Sequence, residues 1–251
     1  MVKASSGLLL INRLEILFLT KIPIWTQLNF QEPVTKLMNN LEQFHDWTLT
    51  TLIVIMILVT YIFFIITNRN YLNGLLKDRH ELEIAWTIIP FVILISLAIP
   101  SLKILYYMDE VINPSLTIQA VGHQWYWTYN YFLANWQIFE SIEFERRYTM
   151  SVPLNENLIH LLETDMRVVL PVFNNCRVLT SSEDVLHCWG VSSLGIKVDA
   201  VPGRINQLNF ILSKPGIYYG NCMELCGAQH RFMPITIEGR RQWDFIDWLS
   251  F

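Results

Sequence analysis

Charged, polar and apolar positions divide the chain into distinct textures. From Trp47 to Asn68 (WTLTTLIVIMILVTYIFFIITN) no charged residue interrupts the run between Asp46 and Arg69. At about 1.5 Å per helical residue, that length spans a hydrocarbon core of roughly 30 Å. A second uncharged run, Ile84 to Leu102, lies between Glu83 and Lys103 and carries Pro90 and Pro100, which a membrane helix tolerates better than a soluble one. The two runs predict a transmembrane hairpin in residues 30–106, with spans at about 47–68 and 84–105. Past Asp109 and Glu110 the apolar residues fall into short alternating groups broken by Pro, Gly and Asn, as in SLTIQAV, RVVLPVF and LGIKVDAVPGRINQLNFIL. That is the pattern of antiparallel strands, and residues 107–251 are expected to form an all-β sandwich with its own core. Residues 1–29 hold an apolar stretch broken by Arg13 and Glu15, neither a clean signal peptide nor a third span, and are set apart as an amino-terminal extension.

Composition agrees with a membrane protein: 52% of the 251 residues are hydrophobic and only 16% are charged. The connection between the spans carries Arg69, Lys77 and Arg79, against Lys36 and Lys103 on the outer flanks, so the hairpin loop is expected inside and both termini outside. Residues 106–251 carry 10 Lys and Arg against 15 Asp and Glu, a net of −5, whereas residues 1–105 carry 8 against 7, a net of +1. An acidic outer domain suits a basic protein partner and offers nothing to nucleic acid.

The candidate chemistry sits near the carboxyl terminus, in YYGNCMELCGAQHRFMPI from Tyr218 to Ile235. Cys222, Glu224, Cys226, His230 and Met233 crowd into it, and an earlier histidine, His187, stands in SSEDVLHCWGV before a strand-like run. Soft thiolate, thioether and imidazole ligands from one loop, joined by a histidine from an earlier strand end, follow the logic of copper electron-transfer domains. A single copper needs only one thiolate. If both sulfurs bridge two coppers, His187 and Met233 can complete one metal, and His230 with the Glu224 carbonyl can complete the other. A Cys222–Cys226 disulfide and a zinc site are the competing readings, the thioether speaking against zinc.

The arrangement C-x-E-x-C-x-x-x-H-x-x-M resembles subunit II of cytochrome c oxidase when taken with SSEDVLH and with GHQWYW at residues 122–127. FHDWTL, ELEIAWTIIP, IPSLKILYYMDE, ETDMRVVLP and VPGRINQ extend the resemblance from about Phe30 to the carboxyl terminus. It implies a two-helix transmembrane hairpin followed by a cupredoxin-like Greek-key sandwich. It also implies a dinuclear copper centre, CuA, on His187, Cys222, the Glu224 carbonyl, Cys226, His230 and Met233. The Glu224 carboxylate would reach a magnesium ion shared with subunit I, and Trp125 would receive electrons from reduced cytochrome c. Asp165, Glu183 and Asp184 would face the lysines of that partner, and Glu83 would stand at the mouth of a proton path into subunit I.

The chain so read is the electron-accepting subunit of an oxidoreductase. Electrons pass from it to haem in subunit I, where oxygen is reduced to water with proton pumping. Other oxidase subunits and the lipid membrane are its neighbours, and the mitochondrial inner membrane, with the sandwich in the intermembrane space, is its expected place. A copper-free quinol oxidase subunit II and a non-catalytic membrane copper-binding protein are the alternatives. The chain departs from the family pattern at Asn130, Cys176, Cys188 and Ser192, and Cys188 is expected to point away from the metal because adjacent strand residues face opposite sides.

Overall fold

A computed structural model describes residues 20–21, 26–68, 79–110, 113–133, 146–148 and 161–249. Most of the amino-terminal extension and the loop bearing Arg69 and Lys77 lie outside the described residues.

The chain divides into two compact units, one of them Asn40–Tyr107 and the other formed by the described residues on either side of it. Two helices, α1 (Lys36–Asn68) and α2 (His80–Asp109), are long and apolar enough to cross a membrane, and their most apolar stretches bury nothing within the protein. Side chains from Leu52 to Phe64 stand largely exposed, as lipid-facing residues must. Helix α1 begins well before the uncharged run. Thr35 caps it, its hydroxyl accepting from the Met38 N–H at 3.0 Å and donating to the Leu194 carbonyl at 2.7 Å. Val34, Leu37 and Met38 are buried in the β unit, so the start of this helix is anchored by the sandwich.

The β unit is a two-layer sandwich. One sheet runs β4 (Arg146–Tyr148), β3 (Tyr126–Leu133), β2 (Leu116–His123), β6 (Asn175–Ser182) and β9 (Asn206–Ile211). The other runs β5 (Val168–Pro171), β11 (Pro234–Arg240), β10 (Gly216–Cys222), β7 (His187–Val191) and β8 (Ile196–Ala200), and the short β1 (Thr20–Lys21) pairs with the start of β10. Period-two burial along β6, where alternate residues from Cys176 to Ser182 are buried, shows why this sequence pairs as it does. Between the layers Trp127, Tyr129, Tyr131, Trp189, Leu170 and Ile235 are almost wholly buried. The Trp189 indole N–H donates to the Tyr129 hydroxyl at 3.1 Å, and the Tyr131 hydroxyl accepts from the Val169 N–H at 3.0 Å.

This topology determines where the chemistry falls. β10 ends at Cys222, β7 begins at His187, and their antiparallel pairing sets Cys222 opposite Trp189. The loop that leaves β10 therefore opens beside the start of β7.

Candidate metal centre

The loop after β10 returns as β11, and the Cys222 N–H reaches the Met233 carbonyl at 3.4 Å to close its base. Within it the Met223 N–H donates to the Cys188 carbonyl at 3.0 Å and a single 3-10 turn covers His230–Phe232. The six sequence-predicted ligand positions are brought together. The Cys222 and Cys226 sulfurs stand 4.0 Å apart, Cys222 Sγ lies 3.8 Å from His187 Nδ1, and Cys226 Sγ lies 3.5 Å from both His230 Nδ1 and Met233 Sδ. The Glu224 carbonyl oxygen is 3.3 Å from Cys222 Sγ. His187, Cys222, Cys226 and Met233 are all buried.

The cysteines are free thiols. A disulfide needs its sulfurs about 2.05 Å apart, so the 4.0 Å separation is not a bridge. Two sulfurs about 2.3 Å from one tetrahedral ion would sit about 3.8 Å apart, so the spacing suits shared metal coordination. Cys188 stays out of the cluster. Its thiol is turned to Asp199 on β8 and is pushed up to about 12, by burial first and then by that carboxylate, so it is not a ready ligand.

The His187 ring is fixed on several sides. Its Nε2 lies 2.8 Å from Asp184 Oδ1, and because a carboxylate only accepts, Nε2 carries the proton and Nδ1 presents its lone pair to Cys222. Burial lowers the pKa of His187, but contacts with Cys222 and Asp184 outweigh it and raise it overall. The edge of Trp127 meets the ring at a centroid distance of 5.9 Å. Burial raises the Cys222 thiol, yet its contact with His187 and hydrogen bonds with the backbone pull it down to about 7, while burial and the neighbouring Cys222 charge push Cys226 up to about 12. Two buried thiolates side by side repel, and a cation between them removes that penalty.

The remaining candidate residues fall in separate places. Trp125 lies in the turn between β2 and β3, packed so closely on the loop that a Cβ built on Gly227 would stand 3.1 Å from its Cζ2. Glu183 is exposed and 3.3 Å from His123 Nδ1. Asp165 is exposed ahead of β5, its carboxylate accepting from the Met166 N–H at 3.0 Å. Glu83 stands in the first turn of α2, in the hairpin unit. Asp184 is more engaged than its acidity suggested, since Oδ1 takes the N–H groups of Val185 and His187 and Oδ2 takes that of Gln124. Burial would raise its carboxyl, but those bonds hold it below the usual range. Sequence reasoning missed Gln124, whose Nε2 donates to the Cys226 carbonyl at 2.9 Å. Its place beside Trp125 was the only local signal.

Comparison with known proteins settles the lineage. Residues 116–240 match the family described as cytochrome C oxidase subunit II, periplasmic domain, and residues 23–104 match its transmembrane domain. The subunit 2 of cytochrome c oxidase from Choristoneura rosaceana is 44% identical over 229 residues, covering 90% of this chain and 97% of that protein. This chain belongs to the cytochrome c oxidase subunit II family. The subunit 2 of Sympetrum striolatum is similar to the same degree, 44% over 226 residues, covering 90% of this chain and 96% of that one. The crystal structure of the periplasmic domain of subunit II of cytochrome oxidase from Bradyrhizobium japonicum is 36% identical, with a TM-score of 0.49, and covers 56% of this chain and 95% of that one. As a subunit II, the chain is a membrane-bound part of cytochrome c oxidase, an oxidoreductase, working with other oxidase subunits, and its buried His187, Cys222 and Cys226 form a cluster that could hold a metal ion such as copper.

Proposed function

We propose that this subunit accepts single electrons from reduced cytochrome c at a dinuclear copper centre and delivers them to haem in subunit I. The observation that carries the reading is the set of contacts, 3.3 to 4.0 Å long, that links both thiols with each other, with both imidazole Nδ1 atoms, with the Met233 thioether and with the Glu224 carbonyl. That donor set fits copper. A buried thioether 3.5 Å from a thiol sulfur is a poor partner for zinc and a good one for a soft metal. Bound there, a copper pair would supply a one-electron store.

The chain's own residues hold that store still. The strand ends of β7 and β10 fix His187 and Cys222, and the closed loop fixes Cys226, His230 and Met233. The buried shell excludes water, limiting solvent reorganisation when charge moves. Trp125, laid against Gly227, offers an aromatic surface between the exterior and the Cys226 side of the cluster. Asp165 and Glu183, with the partly exposed Asp184, give the outer face an acidic character that suits a lysine-rich partner and would steer its arrival.

The Glu224 carboxylate, on the residue whose carbonyl faces Cys222, would offer a hard oxygen to magnesium at the boundary with subunit I. Glu83, in the first turn of α2, is the proposed carboxylate of a proton path on the inner side. The hairpin anchors the sandwich in the mitochondrial inner membrane, with residues 107–251 in the intermembrane space. Stopped-flow mixing of reduced cytochrome c with the assembled oxidase tests this directly. Copper absorption should bleach before the haem of subunit I is reduced, and haem reduction without any copper signal would reject the reading.

A further inference from the structure

Two residues that are not ligands connect the separate halves of the cluster. The Gln124 side chain donates to the Cys226 carbonyl at 2.9 Å. The main-chain N–H of the same residue donates to Asp184 Oδ2 at 2.6 Å, and the other oxygen of Asp184 accepts from His187 Nε2 at 2.8 Å. An unbroken chain of hydrogen bonds thus runs from the loop that carries Cys226 to the strand end that carries His187, though those two ligands belong to different segments. Trp125 follows Gln124 directly and packs on Gly227, the residue after Cys226.

The geometry points to Gln124 and Asp184 as one positioning brace that fixes Cys226 and His187 relative to each other. This rests on the copper reading above. Gln124 is exposed and lies on neither ligand's element, so a packing role does not account for its two directed bonds. Asp184 engages both oxygens in these bonds while its side chain stays 32% exposed.

The test uses the assembled oxidase purified in detergent, with the variants Gln124→Ala, Gln124→Glu, Asp184→Asn and the double change Gln124→Ala with Asp184→Asn. Gln207→Ala, an exposed amide on β9, serves as the control. The readouts are the rate of copper loss to a chelator and the hyperfine pattern of the oxidised centre by electron paramagnetic resonance. Loss of an outer-shell partner costs about 10- to 100-fold in metal affinity, so each single variant should lose copper at least about 10-fold faster, with altered hyperfine splitting. Gln124→Glu keeps the length of the side chain but removes the N–H donor, so it should behave as Gln124→Ala does. If the two residues act as one brace, the double variant should be no worse than about the more severe single one.

Copper retention and hyperfine splitting at wild-type values in Gln124→Ala, or multiplying effects in the double variant, would overturn the brace alone. A wild-type complex without copper would end both this inference and the functional reading. If Asp184→Asn fails to assemble, the two exposed Gln124 variants still decide the matter.

Discussion

Gly122, the penultimate residue of β2, stands directly against the His187 ring, and adding one methyl group there is a sharp probe of how firmly that ligand is wedged. A Cβ built on Gly122 would stand 2.8 Å from Cδ2, 2.9 Å from Cγ and 3.0 Å from Cβ of His187. Ordinary contact begins at 3.4 Å, so the ring or the strand must yield by about 0.6 Å. The ring is fully buried, with Trp127 at one edge and Asp184 on Nε2, and it has no free direction in which to move. Overpacking of this kind costs about 1–3 kcal/mol. For a chain of this size each kcal/mol lowers the melting temperature by roughly 2–4 °C, so Gly122→Ala should melt about 2–12 °C lower without metal. Displacing His187 Nδ1 should also weaken copper binding by about 10-fold or more. Thermal unfolding followed by circular dichroism, together with copper titration, measures both effects. Gly239→Ala, whose nearest neighbour would be Leu212 Cδ1 at 3.3 Å, is the comparison and should cost clearly less. A Gly122→Ala protein that melts and binds copper as the wild type does would refute the claim that β2 wedges this ligand.

Trp125→Phe keeps an aromatic ring against Gly227 but shortens its reach, so it should slow electron transfer from cytochrome c by about 10-fold or more while leaving the copper spectrum unchanged; unaltered transfer rates would remove Trp125 from the route. Neutralising Asp165 and Glu183 together should raise the apparent KM for cytochrome c and flatten its dependence on ionic strength, and an unchanged salt slope would show that docking uses another face. Met233→Leu conserves volume at a site only 1% exposed, so packing alone predicts a loss below about 1.5 kcal/mol and an unaltered centre. A ligand role predicts that both metals are retained with a shifted reduction potential, which redox titration reads directly.

Much of the architecture was legible because its signals are local. Uninterrupted apolar runs mark α1 and α2, and period-two alternation marks strands such as β6. The start of α1 was not legible, since Lys36–Asp46 is polar and its helicity depends on the Thr35 cap and on burial of Leu37 and Met38 in the sandwich. The short β1 gave no readable pattern at all. The ligand set was legible because most of it lies in one loop, with His187 marked by its place just before a strand-like run. The brace was not, because Gln124 reaches Asp184 across 60 positions and Cys226 across 102, and such pairings exist only after the sheets have formed. For the same reason Gly122 read as an ordinary strand glycine until the ring of His187 was found on top of it.

The most direct test of the central claim is the electron paramagnetic resonance spectrum of the oxidised, purified complex at the copper centre of this subunit. Two thiolates shared between two metals place one unpaired electron equally on both. The account therefore predicts hyperfine splitting from two equivalent copper nuclei, lost when Cys222 or Cys226 is replaced by serine. Splitting from a single copper nucleus, or a spectrum unaffected by those substitutions, would contradict it.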